Sequence, residues 1–170
     1  MWAAAGWPRL VSLRAVSVDV DGGLGSAMAN HAEAYRQAVA DIGIVVRADE
    51  VFATEGRRSR DVIVSLAEER SLGLSESKID ELNRRKQAVF HAFGPAPFYP
   101  GVLELFDTIE AHGMRMAAVT GTNRTNIAHH LGKHLARFAV TITSDDVTNT
   151  KPHPEPYLAA LDHLKVAPDE

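Results

Sequence analysis

Asp19 and Asp21 stand one residue apart at the end of the apolar run AVSVDVDGG (15–23), with paired glycines after them. Asp-Gly favours a tight turn, so the simplest reading of this stretch alone is a strand entering a turn. A second reading is chemical: one carboxylate attacks an electrophile while the other moves a proton. Two more positions suit that chemistry. Thr120 ends the run RMAAVT (115–120), and Gly121, Thr122 and Asn123 follow it into a helix. Lys151 lies in TKPHPEPY (150–157), beyond the run FAVTIT (138–143). Taken singly, a threonine at a strand end is a β-former and a lysine before proline is a solvated loop residue. Their order along the chain describes phosphoryl transfer instead. Asp19 would attack phosphorus and carry it as an aspartyl-phosphate, while Asp21 would protonate the leaving oxygen and then deprotonate water. Thr120 and the N–H groups from Gly121 onward would hold phosphate oxygens, and Lys151 would offset their charge. An anionic nucleophile meeting an anionic phosphate calls for a divalent cation, so Mg2+ is the expected cofactor.

The elements that must carry these groups can be read from periodicity. Residues 13–20 are rich in β-branched side chains and predict a strand. Ala34, Tyr35, Ala38, Val39 and Ile42 recur at helical spacing. Helices are also predicted over 59–70, with Ser59 as N-cap, and from Ser75 onward, where Ile79, Leu82 and Val89 mark a stripe. GPAPFYPG (94–101) reads as a linker. Beyond it the pattern alternates: helix 102–113, strand 115–120, helix 123–135, strand 138–143, helix 154–164. Strands separated by helices imply a parallel sheet, whose ligands gather at the carboxyl ends of the strands. The expected fold is α/β: a Rossmann-like parallel sheet core over 1–27 and 98–170, with an all-helical cap inserted over 28–97.

Bulk properties narrow the function. The chain has 170 residues, 45% of them hydrophobic, which suits one domain with an insertion. A net charge of −4 gives no electrostatic footprint for nucleic acid. The absence of cysteine excludes disulfides and thiolate chemistry. No apolar run reaches the roughly 20 residues of a membrane span. The N-terminus, with Trp2 and Trp7, reads as a short leader and not a signal peptide, so the cytoplasm is the expected location.

The segments VDVDGG (18–23), AAVTGT (117–122) and DDVTNTKPHPEPYLAAL (145–161) resemble the first three motifs of the haloacid dehalogenase-like hydrolases. The similarity is strongest to the subgroup of β-phosphoglucomutase and phosphoglycolate phosphatase, whose cap opens with a histidine, here His31 in HAEAYRQA (31–38). The resemblance implies Asp19 as nucleophile and Asp21 as acid/base, both in the metal site, Asp21 through its main-chain carbonyl. Thr120, Gly121 and Lys151 match the phosphate-binding positions. Arg57, Arg58 and Arg60, early in the cap, would either read a second anionic group of the substrate or form a solvated basic loop. Three functions stay open: a phosphatase for a small phosphorylated metabolite, a phosphomutase, and a non-catalytic phosphate-binding remnant.

The pattern also departs from the family. Gly23 stands where a threonine is usual, and Gly25-Ser26-Ala27 where Val-Asp-Ser is usual, so Asp21 is expected to be held more loosely. A fourth strand with metal-binding acids should follow VAPDE (166–170), but the sequence ends at Glu170. Asp145 and Asp146 are not expected to replace those acids, and the first strand is expected to present an edge open to self-association. His130 and His134 have the spacing of a zinc pair but no third ligand, so zinc is not expected.

Overall fold

The computed structural model describes residues 13–168; Trp2 and Trp7 lie outside the described residues. Strands β1 (Ala15–Val18), β2 (Arg115–Val119) and β3 (Val140–Ile142) form a parallel sheet in the order β1-β2-β3. Ala15 pairs with Arg115 and Val18 with Ala118, while Ala117 pairs with Val140 and Val119 with Ile142. The middle strand is buried along four of its five residues, as a parallel strand covered on both faces must be.

Successive residues of β2 face opposite sides. Met116 and Ala118 pack with Val20, Leu24 and Phe138 against helices α5 (Val102–Ala111) and α6 (Arg124–Leu131), which contribute Phe106, Ile109, Ile127 and Leu131. Ala117 and Val119 face the other way, toward Ala160 and Leu164 of α7 (Glu155–Leu164). Among the described residues β1 has one strand neighbour, β2, and so lies at the sheet's edge.

Between β1 and α5 the chain forms helices α1 (Met28–Val39), α2 (Ala48–Phe52), α3 (Ser59–Glu68) and α4 (Glu76–Ala92). They bury a core of their own, including Tyr35, Val39, Val51, Ile63, Leu66 and Leu82. The fold is therefore α/β, a Rossmann-like parallel sheet carrying an inserted helical cap. The Ser75 hydroxyl caps α4 by accepting from the Lys78 N–H at 3.3 Å. Ser59, expected to cap α3, is its first helical residue, and Arg58 occupies the cap position without a side-chain cap bond. The predicted helix 123–135 stops at Leu131, because Gly132 takes a φ of +49° and turns the chain into a 3-10 segment. Helix α2 is too short to show a period and escaped the sequence reading. No helix among the described residues is long and apolar enough to cross a membrane.

Candidate active site

The carboxyl ends of β1 and β2 meet the cap in one cavity. Its lining includes Asp19, Asp21, Thr120 and Gly121 from the core and His31, Glu55, Arg57 and Lys86 from the cap. Asp19 follows β1 directly, and its Oδ1 accepts from the Val20 N–H at 2.9 Å and from Lys151 Nζ at 2.7 Å. Lys151 also donates to the Val119 carbonyl at 3.1 Å, which ties the loop after β3 to the end of β2. Burial raises the Asp19 carboxyl above its usual range, against the pull of the Lys151 hydrogen bond.

Asp21 lies deeper. The Thr120 hydroxyl approaches its Oδ2 at 3.5 Å, and the same hydroxyl oxygen accepts from the Thr122 N–H at 3.1 Å. Its Oδ1 faces two imidazoles, His31 Nε2 at 3.5 Å and His130 Nε2 at 3.4 Å. Burial pushes the Asp21 carboxyl up, but His31, His130 and Lys86 together outweigh that and hold it low.

The local backbone explains the glycines. A Cβ on Gly23 would overlap the Asp19 carbonyl, so the threonine usual in the family has no room in this turn. Gly22 takes a φ of +79° and lies under the Glu55 carboxylate. The loosening of Asp21 expected from Gly23 is met here by a tight turn and by two histidine rings against the carboxylate.

One residue that matters at this site, Lys86, was not singled out by type and spacing, and another, His130, was singled out only as half of a pair with His134. Lys86 is 1% exposed, and its ammonium lies 2.9 Å from His31 Nδ1 and over the rings of Tyr35 and Phe90 at 4.9 and 4.7 Å. Burial lowers its pKa to about 7. Its signal lay in α4, whose buried face is Ile79, Leu82, Lys86 and Phe90: a lysine in step with an apolar stripe. His130 showed no such signal, because only the sheet and α6 together bring it to Asp21. His134, which shares the spacing of a zinc pair with His130, packs against the Phe98 ring, at 5.4 Å.

The three arginines separate. Arg57 lines the cavity and donates to Ser65 Oγ at 2.9 Å. Arg58 reaches out of the cap to the Ser144 and Val147 carbonyls, at 2.8 and 2.9 Å, and clamps cap to core. Arg60 pairs with Glu76 and Asp80 on the outside of the cap. A second bridge joins Asn126 of α6 to Gln87 and His91 of α4, both at 2.6 Å. Asp145 accepts from the Arg124 N–H and Asp146 is held by Thr143 and Arg124, so both carboxylates are engaged by the start of α6 and by the end of their own strand. For a hard cation beside Asp19 the resemblance implies the Asp19 carboxylate and the Asp21 main-chain carbonyl, and both residues line the cavity. These are oxygen ligands of the kind Mg2+ takes in small number, keeping water elsewhere.

A model of the haloacid dehalogenase-like hydrolase family matches residues 13–170. The chain belongs to this family. CbbY of Rhodobacter capsulatus is 29% identical over 93% of the chain and 74% of its own length. The structure of β-phosphoglucomutase from Clostridium difficile superposes with a TM-score of 0.82 at 20% identity, over 91% of this chain and 72% of that one. CbbY from Rhodobacter sphaeroides, solved with xylulose-1,5-bisphosphate, gives 0.79 at 24% identity, over 92% and 75%. The chain spans about half the length of the PpaX pyrophosphatases it also matches, 55% and 47% in two of them.

In this hydrolase the His31 environment makes a pH prediction. Burial first, and then the nearby Lys86 charge, lower the His31 pKa to about 4 from 6.5. On acidification the unfolded chain therefore takes up this proton before the folded one. The contribution of His31 to stability is undiminished above pH 6.5 and is lost as the pH drops from there toward 4. The loss reaches about 3 kcal/mol. Urea unfolding of the wild type and His31→Gln across that window should show the wild type losing stability more steeply; parallel curves would refute it.

Proposed function

We propose that this hydrolase is a Mg2+-dependent phosphatase acting on a small phosphorylated metabolite through an aspartyl-phosphate on Asp19. The observation that carries this reading is the convergence of Asp19, Asp21 and Thr120 on one cavity beneath the cap, with Lys151, from a third segment, bonded to Asp19. Asp19 attacks phosphorus while Thr120, the N–H groups after it and Lys151 hold the phosphate oxygens. Asp21 is the acid/base: it must take up a proton, against the His31, His130 and Lys86 surroundings that favour its ionised form, before it can give that proton to the leaving oxygen, and the carboxylate so regenerated takes one from water in the second step. A Mg2+ ion held by the Asp19 carboxylate and the Asp21 carbonyl would supply charge neutralisation for the incoming phosphate.

Arg57 supports a refinement. It is the one member of the basic trio that lines the cavity, where it would meet a second anionic group of the substrate. A bisphosphorylated sugar is the favoured substrate class, and the bisphosphate bound by the related CbbY agrees with it. A phosphomutase would use the same groups and would convert β-glucose 1-phosphate to glucose 6-phosphate. Among the described residues β1 pairs with β2 alone, which supports self-association through that strand.

The test is hydrolysis of p-nitrophenyl phosphate and of a sugar bisphosphate, with Mg2+ and with EDTA. Metal-dependent phosphate release supports the phosphatase. Isomerisation without release moves the assignment to the mutase, and a folded chain with neither activity makes it a phosphate-binding remnant.

Closure of the cap is part of this mechanism. A Cβ on Gly121 would overlap the carbonyl of Gly56, a backbone atom of the cap loop that cannot swing aside like a side chain. Gly121→Ala should therefore hold the cap off the phosphate site and lower kcat/KM by about 100-fold. Its unfolding midpoint should stay near that of the wild type; unchanged kinetics would show that the cap loop yields.

A further inference from the structure

The deepest part of the site contains three polar atoms with no hydrogen-bond partner: Asp21 Oδ1, His31 Nε2 and His130 Nε2. Their residues are 9%, 8% and 8% exposed. Buried polar atoms are seldom left unmade, because each costs its desolvation. Here the three point at one another. The imidazole nitrogens lie 3.5 and 3.4 Å from the carboxylate oxygen, and all three atoms fall within 4.8 Å of one another. These separations are long for hydrogen bonds. They match ligand atoms that share a tetrahedral ion at bond lengths of about 2.0–2.2 Å.

We propose that Asp21, His31 and His130 form a binding site for a divalent transition-metal ion of the zinc class, distinct from the Mg2+ position at Asp19, and that an ion there locks the enzyme in a capped form without turnover. The donor set favours this class of ion. Two imidazoles and one carboxylate suit zinc, cobalt or nickel, whereas magnesium prefers oxygen throughout. The outer contacts suit it as well. Lys86 Nζ holds the opposite nitrogen of His31 at 2.9 Å, and Phe90 stacks on that ring at 4.0 Å, so its orientation is fixed. With the ion on Nε2, the ring proton sits on Nδ1 and the Lys86 amine, uncharged, is its acceptor.

The three ligands come from both bodies of the protein. His31 belongs to α1 of the cap, Asp21 to the turn after β1, and His130 to α6 of the core. One ion would therefore staple cap to core at the hinge. It would also occupy the Asp21 oxygen that has to exchange protons. The inhibitory part of this proposal rests on the phosphatase reading; the binding part does not.

The test is a titration of the full chain with Co2+, followed by absorption in the visible. The expected result is one equivalent bound with the intense ligand-field bands of a tetrahedral site, displaced by Zn2+. His130→Gln and His31→Gln should each weaken binding by at least about 10-fold. Replacement of His163, an exposed histidine on α7, should change nothing. Unfolding curves establish that each variant is folded, and either histidine variant suffices if the other is not. Absence of the bands in the wild type overturns the proposal. So does a spectrum that survives both histidine variants and is lost in Asp19→Asn, which would place the ion at the Mg2+ position. Zn2+ should inhibit phosphate release by the wild type over the same concentrations at which it displaces Co2+, and inhibition only at far higher concentrations would remove the inhibitory part. If the chain releases no phosphate at all, the spectrum still decides the binding site, so the two failures remain separable.

Discussion

Asp19→Asn should abolish turnover, by a factor of at least about 10,000, while leaving the fold unchanged. The amide is isosteric with the carboxylate, and its oxygen can still accept from the Val20 N–H and from Lys151, the two donors now on Oδ1. What it loses is the charge that makes the side chain a nucleophile, and its paired carboxylate faces elsewhere. Asp21 is turned toward His31 and His130 on the other side of the turn. Loss of the negative charge next to Lys151 should also tighten phosphate in the ground state, because one repulsive partner is gone. The expected pattern is vanishing kcat with inorganic phosphate binding equal to or stronger than that of the wild type. Residual turnover within about tenfold of the wild type would remove Asp19 from the nucleophile's role.

Asp21→Asn should cost about 100- to 10,000-fold, with the loss depending on the leaving group. Protonation of the departing oxygen matters most for a sugar alkoxide and least for p-nitrophenolate, which leaves well unaided. The first step on the aryl ester should therefore survive better than the first step on a sugar phosphate. Release of phosphate from Asp19 needs water to be deprotonated, so that second step suffers with either substrate. A burst of p-nitrophenol stoichiometric with enzyme, followed by a slow steady state, is the expected time course. Trapped phosphoenzyme should be visible by mass. Equal losses on both substrates with no burst would mean that Asp21 positions groups instead of moving protons.

Much of this could be read from the chain itself. The alternation of apolar runs with helical periods beyond residue 101 carries the parallel sheet, because each strand there is short, apolar and bounded by turn residues. Asp19, Asp21, Thr120 and Gly121 line the cavity together, and Lys151 bonds to Asp19; the positions are legible because each sits at a strand's end or in the loop beyond it. The rest was hidden for a common reason: it depends on contacts between segments far apart in sequence. Nothing in EGRRSRD distinguishes Arg57, which enters the cavity, from Arg58, which reaches carbonyls some ninety residues on. His130 looked like half of a pair with His134 until Gly132 broke the helix between them. Lys86 was the nearest miss. It stands in the register of Ile79, Leu82 and Phe90, and a charged residue kept in that register pointed to a buried partner.

The insertion of the cap between β1 and β2 also bears on how the molecule forms. Ala15 must find Arg115 across the whole of the cap, so the first ladder of the sheet closes a very long loop. Contacts of that separation are slow to form, because the chain entropy is lost before any pairing is gained. The cap, however, buries its own cluster around Tyr35, Val39, Ile63 and Leu82 through neighbours in sequence. Once that cluster has condensed, its two ends are carried by one compact body, and the loop that remains to be closed is far shorter than the sequence suggests. The cap is then expected to nucleate the sheet it interrupts, so that mutations in its core should slow refolding, measured by stopped flow, more than those in α7.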